Sequence, residues 1–151
     1  MKSNLLHAHL TTQFTDIAPE RIYELYVSER EHAAATGQPA SIDATEGGVF
    51  SAYDGYLTGR FIRVVPGRLI VQFWRSQHFG DTDPDAILSI EFRKNELGQA
   101  ETELVLTNVP DEVSRHDNSS WNYFYWEPFR DYLRGQSTPA DFADAVSQPR
   151  R

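Results

Sequence analysis

Side chains of the types that hydrolyse esters and peptides occur close together in the last third of the sequence. Asp111, Ser114, His116 and Asp117 include the acid, nucleophile and base of a serine-hydrolase triad. Neighbouring residues of one loop rarely point at a common centre, and the chain has no G-x-S-x-G motif to present a nucleophilic serine. We therefore predict that these residues form no catalytic triad.

The histidines suggest a second kind of chemistry, metal binding. His7 and His9 are two positions apart, so they would share one face of a strand. That face is opposite to the apolar side of the strand, and the sequence shows no third ligand, whereas protein zinc sites use three or four. We predict a solvated pair and no metal site. His32 and His78 are isolated in the sequence and indicate no chemistry.

The glycine-rich stretch EGGVFSAYDGYLTG at residues 46–59 suggests a third kind of chemistry, phosphate binding. A P-loop needs G-x-x-x-x-G-K-[ST], and a dinucleotide site needs G-x-G-x-x-G between a strand and a helix. Neither spacing is present and no helix follows the four glycines, which are Gly47, Gly48, Gly55 and Gly59. They are typical of turns and bulges in a curved sheet. Glu46 and Asp54 are then interpreted as turn-capping acids rather than as a catalytic carboxylate pair.

The composition restricts the function further. The chain has 151 residues, enough for one domain, and a net charge of −8 with a pI near 5.0. Acidity disfavours nucleic-acid binding, and the absence of cysteine excludes disulfides, zinc–thiolate sites and thiol nucleophiles. No apolar run has the length of a signal peptide or of a membrane span. These features predict a cytoplasmic protein that needs no cofactor and neither binds nucleic acid nor inserts into a membrane.

The elements that position any site follow from the hydrophobic pattern. Alternation of apolar and polar residues predicts six strands, at 5–14, 48–54, 56–65, 68–76, 86–95 and 101–108. Two short helices separate the first two strands. Pro19 suits the start of one helix, Ser28 and Glu31 predict a capping box for the other, and Gly37 is placed to end it.

The last predicted element is an aromatic helix over residues 119–134. Its apolar residues fall on one broad face, and Pro128 is predicted to kink the helix near Phe124. The order β–α–α–β–β–β–β–β–α predicts an α+β fold in which a curved antiparallel sheet of six to seven strands surrounds the long C-terminal helix. We predict one domain over residues 1–135, followed by a polar tail at 136–151 with one short helix at 138–146.

Several motifs, taken together, resemble one known family. They are Pro19-Glu-Arg-Ile-Tyr23, Glu46-Gly-Gly-Val-Phe50, Tyr53-Asp-Gly-Tyr56, Val65-Pro-Gly-Arg-Leu-Ile-Val-Gln-Phe-Trp-Arg75 and Tyr125-Trp-Glu-Pro-Phe129. The chain is similar to the family named after the C-terminal domain of the activator of heat-shock protein 90 ATPase, in the START-like SRPBCC superfamily of helix-grip folds. It departs from the family at residues 76–84, where many relatives have a tryptophan-rich loop, and at Ser120, where glycine is usual.

The resemblance implies a cavity between the sheet and the C-terminal helix. We expect it to be enclosed by apolar and aromatic residues of both, together with one amide: Phe50, Gln72, Trp74, Leu88, Ile90, Phe92, Leu106, Trp121, Phe124 and Tyr125. The alternative is a fully packed core. Since a buried amide is costly unless it is paired, Gln72 and Asn122 would either orient a ligand or bond to backbone or water.

The function implied by the resemblance is a noncatalytic START-like module. It would bind a small apolar or amphipathic molecule in the cavity, as a monomer or a homodimer. Two alternatives remain open. One is a chaperone-interacting protein like the ATPase activator, and the other is a small-molecule cyclase or hydrolase of the same superfamily, for which the sequence supplies no catalytic residue.

Overall fold

The computed structural model describes residues 5–110 and 118–135; the predicted triad residues at 111–117 and the tail at 136–151 lie outside them. The strands are β1 (Leu5–Phe14), β2 (Ser41–Ile42), β3 (Val49–Ala52), β4 (Leu57–Val65), β5 (Leu69–Ser76), β6 (Ala86–Lys94) and β7 (Ala100–Pro110). The helices are α1 (Pro19–Val27), α2 (Glu29–Thr36), α3 (Asn118–Trp121), a π-helical turn (Asn122–Trp126) and α4 (Glu127–Gly135). The last three are consecutive and are called the C-terminal helix below.

The described strands form one antiparallel sheet in the order β1-β7-β6-β5-β4-β3-β2. The predicted α+β helix-grip fold with six to seven strands is therefore confirmed. Strand β2 was not predicted, because its two residues are too few to show alternation.

Alternation of side chains gives the sheet one buried and one exposed face. In β5, Ile70, Gln72 and Trp74 are buried on the inner face, whereas Phe73 lies on the outer face and is partly exposed. Helix α1 packs on the inner face against β6 and β7. The inner face therefore forms the core, as expected of a sheet that helices cover on one side.

The two short helices begin and end for local reasons. Pro19 opens α1, and Gly37 ends α2 with a φ of 76°, a left-handed conformation that glycine adopts readily. Only half of the predicted capping box forms. Ser28 Oγ accepts the backbone N–H of Glu31 at 3.1 Å, but the Glu31 carboxylate instead pairs with the Arg21 guanidinium through contacts of 2.9 and 2.7 Å.

The C-terminal helix is anchored to β1 by an aromatic contact. The fully buried Trp126 packs edge-on against Phe14, with ring centroids 5.5 Å apart. Arg130 lies over the Phe14 ring at 4.6 Å and donates to the backbone oxygen of Gln13 at 2.8 Å. These contacts hold the C-terminal helix against the β1 edge of the sheet. No helix in residues 5–110 and 118–135 is long and apolar enough to cross a membrane.

Candidate ligand-binding cavity

A cavity of about 490 Å³ lies between the inner face of the sheet and the C-terminal helix. Seven of its fourteen lining residues carry aromatic rings, counting the imidazole of His78. The lining consists of Ala8, Tyr53, Tyr56, Leu57, Trp74, Ser76, His78, Leu104, Leu106, Val109, Ser120, Trp121, Phe124 and Tyr125. Tyr56, His78 and Phe124 are exposed, so the cavity opens to solvent on their side.

The structure divides the ten predicted cavity residues into two groups. Five line the cavity: Trp74, Leu106, Trp121, Phe124 and Tyr125. The other five lie in the packed core away from it: Phe50, Gln72, Leu88, Ile90 and Phe92. The core position of Phe92 has a visible cause, because Tyr23 of α1 covers its ring edge-on with centroids 5.5 Å apart.

Neither predicted amide lines the cavity. Gln72 is fully buried and its Oε1 accepts the Tyr26 hydroxyl at 2.8 Å, while its Nε2 has no partner among the described residues. Asn122 Oδ1 is also buried without a described partner. The Gln72 amide therefore bonds to a protein side chain.

Sequence reasoning missed several lining residues, most of them at the mouth. Tyr53, Tyr56 and His78 lie in turns, where no hydrophobic periodicity marks a buried face. Ser76 and Ser120 belong to the two places where the chain departs from the family pattern, and both line the cavity. Leu104 could have been predicted, because it lies two residues from Leu106 and therefore on the same buried face of β7.

Tyr53 is held across the mouth by an unusual turn. Tyr53 and Asp54 have positive φ values of 52° and 56°, followed by Gly55 at 87°, and the predicted turn at Asp54-Gly55 is confirmed. A positive φ is rare for a bulky residue and persists only where the surroundings stabilise it. The Tyr53 ring packs edge-on against Phe124 and Tyr125, with centroids 5.6 and 5.8 Å away.

Pro128 explains why Tyr53 binds at this point. A proline has no N–H, so in an α-helix the carbonyl four residues earlier, that of Phe124, loses its donor. The helix forms its π-helical turn at this place, and the N–H of Glu127 bonds to the Asn122 oxygen. The Tyr53 hydroxyl donates to the Phe124 carbonyl. Pro128 thus leaves the Phe124 carbonyl free to accept the Tyr53 hydroxyl, and this bond joins the turn at residues 53–55, called the mouth turn below, to the C-terminal helix.

A buried polar network fixes the wall formed by Tyr125. His32 Nδ1 donates to the backbone oxygen of Tyr26 at 2.8 Å, so the other ring nitrogen, Nε2, accepts the Tyr125 hydroxyl at 2.9 Å. Tyr26 in turn donates to Gln72. The network joins α1, α2, β5 and the C-terminal helix.

His32 and Tyr125, which are bonded to each other in this network, are both neutral near neutral pH. Burial lowers the pKa of His32 to about 4, although its hydrogen bond to the Tyr26 backbone opposes this shift. Burial also raises the pKa of the Tyr125 phenol well above its ordinary value of 10.0. The pair therefore positions a cavity wall and has no readily exchanged proton.

The other chemical candidates are not brought together with the cavity. His9 Nε2 lies 2.8 Å from Glu103 Oε2, and the side chain of His7 is outside the described part. The described residues contain no group of three or more metal-ligating side chains. Glu46 Oε2 accepts the Val64 backbone N–H at 3.4 Å and Asp54 lies in the mouth turn, both away from the lining.

Comparison with known proteins assigns the chain to a family. Residues 16–134 match the family described as Activator of Hsp90 ATPase homolog 1-like protein. The human Activator of 90 kDa heat shock protein ATPase homolog 1 is 29% identical over 112 residues, which are 73% of this chain and 32% of the human protein. The Dictyostelium discoideum homologue is 26% identical over 104 residues, or 69% of this chain and 27% of that protein. The chain thus spans about a third of the length of the curated relatives it matches.

Solved structures show the same fold. An HSP90 activator from Plasmodium falciparum superposes with a TM-score of 0.74 at 18% identity, covering 84% of this chain and 95% of that one. The Aha1 dimer from Colwellia psychrerythraea gives a TM-score of 0.66 at 12% identity, covering 81% and 92%. The family match extends over most of the chain and includes both the sheet and the C-terminal helix. The chain belongs to the family of Activator of Hsp90 ATPase homolog 1-like proteins.

Proposed function

We propose that this protein is a noncatalytic binding module that holds a small, uncharged and largely apolar molecule between its sheet and its C-terminal helix. The observation that carries the proposal is the cavity itself. Its volume of about 490 Å³ falls within the range of roughly 300–1,000 Å³ that is usual for small-molecule sites.

The chemistry of the lining supports an uncharged ligand. None of the fourteen lining residues is an aspartate, glutamate, lysine or arginine. An ionic group would be desolvated there without a partner, which is costly. Aromatic walls such as the stacked pair Trp121 and Tyr125, with ring centroids 4.4 Å apart, favour a ligand that contains rings.

The same lining favours binding over catalysis. Acid–base catalysis needs a group positioned at the reacting atoms with a pKa near the working pH. Tyr125 is bonded to His32, and both remain neutral over the ordinary range. His78 is the one imidazole of the described lining, and it lies at the exposed mouth.

Titration with the uncharged fluorescent dye Nile red tests the proposal. Ala8 lines the cavity from β1, so Ala8→Phe would fill part of the space. We expect the native chain to bind the dye and the variant to bind it at least ~10-fold more weakly, a loss of ~1.4 kcal/mol.

Ala34→Phe provides the matched control, because Ala34 is exposed on α2 and lies outside the cavity lining. This variant adds the same ring elsewhere and should bind the dye like the native chain. Equal affinity of all three proteins would contradict binding in the cavity. Thermal unfolding of each protein shows whether the variants remain folded.

The family favours a second candidate, modulation of a heat-shock protein 90 ATPase. The relatives that carry this name are 26–29% identical, and the match covers about a third of their length. We expect a purified heat-shock protein 90 to hydrolyse ATP at least ~2-fold faster with an excess of this chain, a barrier lower by ~0.4 kcal/mol. An unrelated protein of similar net charge serves as the control. An unchanged rate at saturating chain would remove this candidate.

A further inference from the structure

The outer face of the sheet, opposite the cavity, carries an exposed apolar patch. Val49 of β3, Ile62 of β4 and Phe73 of β5 lie on this face, with 54%, 39% and 38% of their surfaces exposed. A register shift in β4 between Phe61 and Arg63 adds one residue to that strand, so Ile62 and Arg63 both lie on the outer face. Within the described residues, no helix covers this face. Apolar side chains grouped on adjacent strands are typical of a contact surface.

Strand β5 is the apolar centre of this face, with Leu69, Val71 and Phe73 directed outward, and the strands on its two sides carry opposite charge. On the β4 side, Arg60 and Arg63 are exposed, and the nearest carboxylate to Arg63 is Glu46 at 3.8 Å. On the β6–β7 side, three carboxylates surround a single guanidinium, that of Arg93, at 3.0, 2.5 and 2.8 Å: Glu91, Glu101 and Glu103. One cation among three anions leaves this side negative.

We propose that this outer face binds the same face of a second copy of the chain, about a two-fold axis that runs parallel to β5 near Val71. Such an axis places β4 of each copy over β6 of the other. A face with opposite charges on either side of an apolar centre is complementary to itself under this rotation, as a two-fold interface requires.

The register of the strands identifies the pair of charges that would meet. Arg63 and Ser89 both lie opposite Val71, on its two sides. The axis therefore brings Arg63 of one copy over Ser89 of the other. Glu91 is the next outer-face residue after Ser89 along β6, within reach of an arginine side chain. Phe73, on β5 beside the axis, meets its own counterpart.

The face has the size that such an interface needs. The five strands β3–β7 are spaced ~4.8 Å apart and span ~20 Å; β4–β7 have eight to eleven residues and are ~30 Å long, whereas β3 has four. The resulting area of roughly 500 Å², before its roughness is counted, approaches the ~800 Å² per partner found in specific complexes.

Charge reversal with sedimentation velocity of the full chain tests this proposal. Arg63→Glu places two carboxylates together twice in each dimer, and Glu91→Arg does the same with two guanidiniums. We expect each single variant to weaken self-association roughly 10-fold or more. An equimolar mixture of the two variants restores both pairs, so it should form a heterodimer with about native affinity. The double variant Arg63→Glu/Glu91→Arg should also associate like the native chain.

The following results would overturn the proposal. A native chain that stays monomeric at high concentration excludes the interface, and so does a dimer that neither single variant weakens. A mixture that associates no better than its components shows that these charges do not face each other. A monomer whose Phe73→Glu variant loses thermal stability would indicate that another segment of the same chain covers the face. Circular dichroism of each variant separates lost association from lost folding.

Discussion

Replacing Gly59 by alanine is expected to destabilise the fold by about 3 kcal/mol or more, the upper range for overpacking. Gly59 lies in β4 between Phe50 of β3 and Trp74 of β5. A Cβ at this position would overlap the backbone carbonyl oxygen of Phe73 and would lie 2.6 Å from Cε1 of Phe50. Because the first of these atoms belongs to the backbone of the neighbouring strand, the clash cannot be relieved by rotating a side chain.

Urea unfolding followed by tryptophan fluorescence measures this effect. Gly135→Ala is the matched control, since a Cβ there would meet nothing within 4 Å. Its change should be smaller than about 1 kcal/mol and in the stabilising direction, because Gly135 ends a helix. Similar stabilities of the two variants would contradict the close packing of the β5 backbone against Gly59.

Acidification is expected to remove about 3 kcal/mol of stability through His32 alone. Its pKa is about 4 in the folded protein and 6.5 ordinarily. Between these values the unfolded chain takes up a proton that the folded chain does not, so stability falls as the pH is lowered. The contribution of His32 is fully present above pH 6.5 and is lost progressively down to about pH 4. One pKa unit corresponds to ~1.36 kcal/mol, which gives the size of the effect.

His32→Gln isolates this contribution, because glutamine can donate and accept hydrogen bonds but does not titrate. Above pH 6.5 we expect the variant to be less stable than the native chain by ~1–3 kcal/mol, since the two hydrogen bonds fit less well. Between pH 6.5 and 4 the native chain should lose about 3 kcal/mol more than the variant. Glu31, whose pKa is lowered chiefly by its hydrogen bond to Arg21, titrates in both proteins and cancels in the difference. Parallel stability curves for the two proteins would show that His32 is not buried in a neutral form.

The fold could be predicted because its elements carry strong local patterns. Leu88, Ile90 and Phe92 alternate with polar residues, so the buried face of β6 is evident from the sequence. The irregularity in the C-terminal helix was predicted at Phe124 from Pro128, and the π-helical turn includes Phe124. Both inferences need only neighbours along the chain.

The cavity was harder to predict, because the alternation of apolar and polar residues shows which side chains point inward but does not show what packs over them. Phe92 has the same inward orientation as Trp74, yet α1 packs over Phe92 while Trp74 lines the cavity. The role of His32 was also inaccessible from the sequence. Its partners are 6 and 93 positions away, so no local spacing connects it to the Tyr125 wall.

Native mass spectrometry of the chain purified from its own host tests the central claim most directly. Three forms would be compared: the native chain, Ala8→Phe inside the cavity and Ala34→Phe outside it. We expect the native chain and the Ala34→Phe control to retain one small molecule of the same mass, and Ala8→Phe to lose it while remaining folded. A native chain that carries no bound molecule and binds no Nile red would contradict the account, and so would a molecule that Ala8→Phe retains as well as the control does.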